Sequence, residues 1–134
     1  MKFNELKLGM KAQTSKTITE ADILLFSGVS TDVNPLHISE EAAKNGMFKT
    51  RVAHGMLVAS LISAVLGTKL PGDGTVYLGQ ELKFKRPVFI GNCITATCEI
   101  IELIPEKSLV ILNTTCTNQD GVEVISGKAT VMVK

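Results

Sequence analysis

The chain has only two histidines, and one of them, His37, follows an aspartate by five residues in Ser30-Thr31-Asp32-Val33-Asn34-Pro35-Leu36-His37. A carboxylate and an imidazole in one loop can share the work of activating a water: one takes its proton, the other delivers a proton to the acceptor. Imidazole suits this task because it changes charge near neutral pH. A loop aspartate also caps turns, so residue type alone leaves both readings open for Asp32, and His37 could equally be a packing residue. The second histidine lies in Arg51-Val52-Ala53-His54-Gly55-Met56, where a glycine stands at the expected start of an apolar helix. Unpaired amides and the positive end of the helix dipole could there stabilise an oxyanion. Gly55 has no side chain to block that approach, although it could simply allow tight packing. His54 reads as a cap or packing residue at the helix start. Ser60 and Ser63, inside the same helix, are expected to bond back to a carbonyl one turn earlier. For Ser63 the functional alternative is a hydrogen bond that orients the Asp32 carboxylate. Neither serine belongs to a G-x-S-x-G elbow, so a serine hydrolase is not indicated.

The elements that must position these residues change character near residue 70, with helix-compatible sequence before it and strand sequence after. Lys11 to Ile18 reads as a strand. Thr19 and Asp22 form a capping-box pattern that opens a short helix through Phe26, with Gly28 as its stop. Val29 to Ile38 is expected to be an ordered loop, because Pro35 restricts Asn34 to extended or turn geometry. Ser39 caps a second short helix, Glu40 to Lys44, closed by Asn45-Gly46. From Met56 to Leu66 apolar side chains cover every face of a helix, which must therefore be enclosed. Thr75 to Val88, Asn92 to Ile104, Ser108 to Asn118 and Val122 to Val133 read as four strands that could enclose it. Asp120-Gly121 is a hairpin signal, and Ile90-Gly91 and Pro105-Glu106-Lys107 are turns. The result is an α+β architecture, a curved antiparallel sheet wrapped around one central helix, known as a hot-dog fold. Without internal repeats or a long linker, residues 1–134 form one expected domain. Such a sheet leaves an edge and part of the helix uncovered, which points to a homodimer.

Composition excludes several partners. Lys and Arg number 14 against 13 Asp and Glu, for a net charge of +1, with no block of like charge to favour nucleic acid or an anionic membrane. Cys93, Cys98 and Cys116 form an odd set without C-x-x-C or histidines at ligand spacing. They read as small hydrophobes in a reducing cytoplasm, with no metal site and no disulfide framework. The N-terminal run Met1 to Lys7 is too polar for a secretory signal. The apolar stretch Val52 to Leu66 falls short of the ~20 residues that span a bilayer.

The residues now match a known pattern. Phe26-Ser27-Gly28-Val29-Ser30-Thr31-Asp32-Val33-Asn34-Pro35-Leu36-His37, followed by Ala42-Ala43, closely resembles the signature of the MaoC-like (R)-specific enoyl-CoA hydratases, or hydratase 2 enzymes. Ala53-His54-Gly55-Met56-Leu57 and Phe84-Lys85-Arg86-Pro87-Val88 also look like family segments, and the resemblance covers essentially the whole chain. It implies a dimeric hot-dog protein that adds water to a trans-2-enoyl-CoA to give an (R)-3-hydroxyacyl-CoA, without a cofactor. Such products feed hydroxyacyl-CoA pools like those used for polyhydroxyalkanoate. By the same resemblance Asp32 and His37 hold the reacting water, with Asp32 favoured as base and His37 as proton donor to C2. The backbone amide of Gly55 meets the thioester oxygen, and Ser63 orients Asp32. Asn34 shapes the loop first and is a water ligand second.

Two alternatives share the cleft: a hot-dog acyl-CoA thioesterase, and a noncatalytic acyl-thioester binding module. Neither requires the full Asp32 to His37 signature. Lys83, Lys85 and Arg86 offer positive charge that could meet CoA phosphates or form a solvated face.

Overall fold

A computed structural model describes residues 1–134. A short 3-10 turn, Phe3–Glu5, precedes strand β1 (Lys11–Thr17). Helices α1 (Glu20–Ser30), α2 (Pro35–Ile38), α3 (Glu40–Ala43) and α4 (Gly55–Thr68) follow, and then strands β2 (Val76–Phe84), β3 (Cys93–Ile104), β4 (Leu109–Thr117) and β5 (Glu123–Met132). The five strands form one antiparallel sheet in the order β1-β3-β4-β5-β2. This is the hot-dog arrangement, with α4 as the filling.

Period-two patterning explains why the sheet closes on that helix. Along β3 the residues Ile94, Ala96, Cys98 and Ile100 are fully buried while their neighbours are not, and Val110, Leu112, Thr114 and Cys116 do the same along β4. From α4 they meet Val58, Ala59, Ile62, Val65 and Leu66, one apolar stripe at helical spacing. Each such Ile or Leu contributes about 1.5–3 kcal/mol by leaving water. Thr114 is the polar exception in this layer, and the Gln80 side-chain amide, 2.8 Å away, donates to its hydroxyl. At Gly127 the backbones of β5 and β2 come so close that a β-carbon would fall 1.7 Å from the Glu81 carbonyl oxygen.

The expectation that α4 is enclosed on every face holds only in part. Met56, Ser60, Ser63, Ala64 and Gly67 are exposed. The sheet edges differ as well. Edge strand β1 carries Lys11 and Lys16, the charges that commonly blunt an edge, whereas edge strand β2 exposes Val76, Tyr77 and Leu78.

Two local expectations change. Gly28 does not stop α1, which runs on to Ser30 and ends where Thr31 adopts a left-handed conformation (φ 63°). The Ser30 hydroxyl donates to the Phe26 carbonyl at 2.7 Å and accepts from the Asp32 amide at 3.1 Å, so serine closes the helix end that glycine was expected to close. The stretch read as loop also contains a helical turn, α2, with Pro35 at its first position and the Asn34 side chain as its cap.

Candidate active site

The segment between α1 and α2 is built by side chains bonding to backbone. The Asp32 Oδ1 atom accepts from the Asn34 amide at 3.2 Å, and the Asn34 Oδ1 atom accepts from the Leu36 amide at 3.0 Å. These bonds turn the chain so that Asp32 and His37 face each other. Asp32 Oδ2 and His37 Nε2 stand 4.0 Å apart, too far for a direct hydrogen bond. A single water about 2.8 Å from both would bridge them at an angle of about 90°.

His37 is held from two sides. Its Nδ1 donates to the Val52 carbonyl at 2.7 Å, which leaves Nε2 of the neutral ring without a hydrogen and aimed at Asp32. Its carbonyl accepts from Arg51 Nε at 2.8 Å, while the two terminal nitrogens of Arg51 grip Glu20 at 2.9 and 2.8 Å. That fork holds the Glu20 carboxyl below its ordinary pKa, and Glu20 in turn raises the pKa of Arg51. Neither Arg51 nor Glu20 stood out in the sequence, because nothing local marks a buried arginine that ties α1 to α2.

His54 sits at the N-cap of α4 but makes no side-chain cap bond. Its Nε2 lies 3.0 Å from the Asp32 carbonyl and 3.2 Å from the Ser27 hydroxyl. Its ring stacks on that of His37, with centroids 3.9 Å apart and planes at 27°, and Phe26 tilts against it at 4.8 Å. One ligand atom from each of Asp32, His37 and His54 falls within 4.8 Å of the others. Ring nitrogens bind metal along lone pairs in the ring plane, and two stacked rings do not aim theirs at one centre.

Gly55 opens α4, so its amide and those of its first turn have no helical carbonyl to serve. A β-carbon at Gly55 would sit 2.6 Å from the Phe84 ring. Asp32, His37, His54 and Gly55 all line one cavity of about 440 Å³, with apolar walls that include Phe48, Met56, Val58 and Phe84. Lys85 and Arg86 also reach it, and Lys83 does not. Lys85 is already paired with Glu123 at 2.6 Å.

Ser63 is the expected site residue that this structure does not bring to the others. It forms no hydrogen bond with Asp32; it lines a second depression with Phe26, Met56, Ala59, Ser60, Tyr77, Gln80 and Leu82. Eight residues of α-helix carry it about 12 Å along the axis from Gly55, whereas Asp32 lies at the helix start. Ser60 bonds back to the Leu57 carbonyl at 2.5 Å. Phe48 lines the cavity and is a candidate for shaping its wall.

The arrangement can hold a water between a carboxylate and an imidazole, on a cavity that Gly55, at the open end of α4, also lines. Comparison with known proteins shows which family the chain resembles. Residues 3–119 match the family model described as a MaoC like domain. An (R)-specific enoyl-CoA hydratase of Rhodospirillum rubrum is 55% identical over 131 residues, spanning 98% of this chain and 90% of the relative. A 3-hydroxybutyryl-CoA dehydratase of Methylorubrum extorquens is 44% identical, covering 98% and 83%. The solved structure of an (R)-hydratase from A. caviae, described as involved in PHA biosynthesis, superposes with a TM-score of 0.93 at 41% identity, covering 96% of this chain and 98% of that one.

Proposed function

This chain belongs to the family of MaoC-like domains, and on that premise we propose that it is an (R)-specific enoyl-CoA hydratase, converting trans-2-enoyl-CoA reversibly to (R)-3-hydroxyacyl-CoA. The carrying observation is the 4.0 Å gap between Asp32 Oδ2 and His37 Nε2, on a cavity that Gly55 also lines. In the hydration direction a water sits in that gap. Asp32 draws one of its protons, the oxygen bonds to C3, and the electron pair of the double bond moves through C2 onto the thioester oxygen. The Gly55 amide and the α4 dipole stabilise the enolate. The enolate collapses as C2 takes a proton from His37 Nε2, whose orientation is fixed by the bond from Nδ1 to Val52. The pair enters as carboxylate and imidazolium and leaves as carboxylic acid and imidazole, and a proton passed across the gap resets it.

Asn34 supports this reading as the residue that shapes the loop. Ser63 stays outside it, since no bond ties that hydroxyl to Asp32. The homodimer belongs to the same proposal. The apolar edge of β2 and the open face of α4 are surfaces that a second copy would cover, and a solution mass near twice 14.4 kDa is the expected result. The three free thiols fit a reducing compartment such as the cytoplasm.

The test is to add the protein to a short-chain trans-2-enoyl-CoA and follow the ultraviolet absorbance of the conjugated thioester, then determine the handedness of the product. Loss of conjugation with an (R)-3-hydroxyacyl-CoA product is expected. An unchanged spectrum across several chain lengths would refute hydration, and release of free thiol would favour a thioesterase instead.

A further inference from the structure

We propose that His54 is a positioning residue for the hydration step, holding Asp32 by the edge of its ring and His37 by its face. The inference rests on the hydratase reading above, but its evidence is separate. The Asp32 carbonyl, 3.0 Å from His54 Nε2, can only accept, so Nε2 carries the hydrogen in the neutral ring. That N-H is the link that ties the backbone of the Asp32 loop to the residue just before Gly55. The opposite contact is face to face: the imidazole of His37 lies flat on that of His54 at 3.9 Å, so His37 cannot swing away from Asp32 on that side.

The consequence is that one side chain connects all three groups of the site. Asp32 is tied through its carbonyl, His37 through its ring, and the Gly55 amide is in the next peptide. The three arrive from different parts of the chain, with 22 residues separating Asp32 from His54. Nothing else in the site touches both members of the acid–base pair and is bonded covalently to the oxyanion donor. His54 is 2% exposed, and its other ring nitrogen, Nδ1, is buried without a partner. A residue kept only to cap α4 would spend that nitrogen on the free amides of the first turn. Here the capping position is occupied and the capping bond is not made, while the nitrogen that does bond is directed at the Asp32 loop. Ser27 and Phe26, from the last turns of α1, close the ring in from behind.

The two functions of the ring can be separated by substitution. His54→Phe keeps a flat face for His37 and loses the donor to Asp32. His54→Gln keeps a donor near the same position and loses the face. A misplacement of about 1 Å costs on the order of 10²-fold in rate. His54→Phe is therefore expected to lower kcat by about 10- to 100-fold while KM for the enoyl-CoA stays within about twofold, because the apolar wall residues Phe48, Met56, Val58 and Phe84 are unchanged. His54→Gln is expected to recover part of that loss. A kcat near the wild-type value in His54→Phe, or a loss that glutamine does not relieve at all, overturns the proposal.

A second measurement covers the case in which a variant fails to fold. With only two histidines in the chain, the long-range ¹⁵N-¹H spectrum of the wild-type imidazoles is readily assigned with His37→Gln as reference. The neutral rings are expected in opposite tautomers, Nε2-H for His54 and Nδ1-H for His37, and finding Nδ1-H at His54 overturns the proposal whatever the kinetics show. Wild-type protein inert toward every enoyl-CoA would instead sink the hydratase reading, and with it the role of His54 in hydration, while the tautomer result still reports whether the contact itself exists.

Discussion

Lengthening Asp32 by one methylene tests the geometry of the site more severely than deleting its charge. In Asp32→Glu the carboxylate keeps its chemistry but reaches about 1.5 Å further, one carbon–carbon bond. The 4.0 Å separation from His37 Nε2 would shrink to about 2.5–3 Å, the length of a direct hydrogen bond. The seat of the water would then be filled by the pair bonding to itself. If the water must stand between the two groups, Asp32→Glu loses as much rate as Asp32→Asn, about 10²- to 10⁴-fold for a positioned acid–base group. In barrier terms that is about 2.7–5.4 kcal/mol. The assay is the steady-state rate of loss of enoyl thioester absorbance, with circular dichroism and the thermal midpoint as controls for folding. Asp32 is half exposed on its side chain, so neither substitution is expected to disturb the core. Retention of more than about a tenth of wild-type kcat by Asp32→Glu would refute the bridging water, since a carboxylate of the wrong length would then serve as well as the right one.

Other perturbations probe the surroundings. Gly55→Ala places a β-carbon 2.6 Å from the Phe84 ring, and is expected to lower kcat/KM by about 10-fold or more through displacement of the oxyanion donor; Phe84→Ala in the same chain should restore part of it. Gly127→Ala drives a β-carbon into the Glu81 carbonyl, against backbone that cannot yield like a side chain, so a loss at or above the usual overpacking range of about 1–3 kcal/mol is expected in urea unfolding. The hydrogen bonds from Arg51 lower the Glu20 pKa from its ordinary value of 4.5. A depressed carboxylate contributes stability that is full above its unfolded pKa and lost as pH falls through the folded one. The thermal midpoint of wild type should therefore exceed that of Glu20→Gln at neutral pH, with the difference fading in acid below about pH 4.5. Burial pushes the Cys98 thiol up to about 12, with Cys116 adding to it, and burial alone pushes Cys116 up to about 12. At pH 8 a thiol reagent should therefore titrate Cys93 alone in the native protein and all three thiols in denaturant.

The contrast between Thr19 and Gly28 shows what local sequence can and cannot settle. The Thr19 to Asp22 box forms as its spacing requires, with the Asp22 amide donating to Thr19 Oγ1 and the Thr19 amide donating to Asp22 Oδ2, because both partners lie within one turn. Gly28 only costs a helix about 1 kcal/mol, an amount that the bonds of Ser30 and the packing of Ile23 and Ser27 override.

Sequence by itself determined the strands, the central apolar helix and the caps at Thr19 and Ser39, since each rests on periodicity or on bonds spanning a few residues. Tertiary structure decided the rest. The grip of Arg51 on Glu20 spans 31 positions, and the bond from His54 to the Asp32 carbonyl spans 22. The 4.0 Å gap and the outward turn of Ser63 likewise depend on how α1, α2 and α4 lie against one another. Interactions between distant positions leave no period and no motif in the chain, because their distances are set only when the sheet packs onto the central helix.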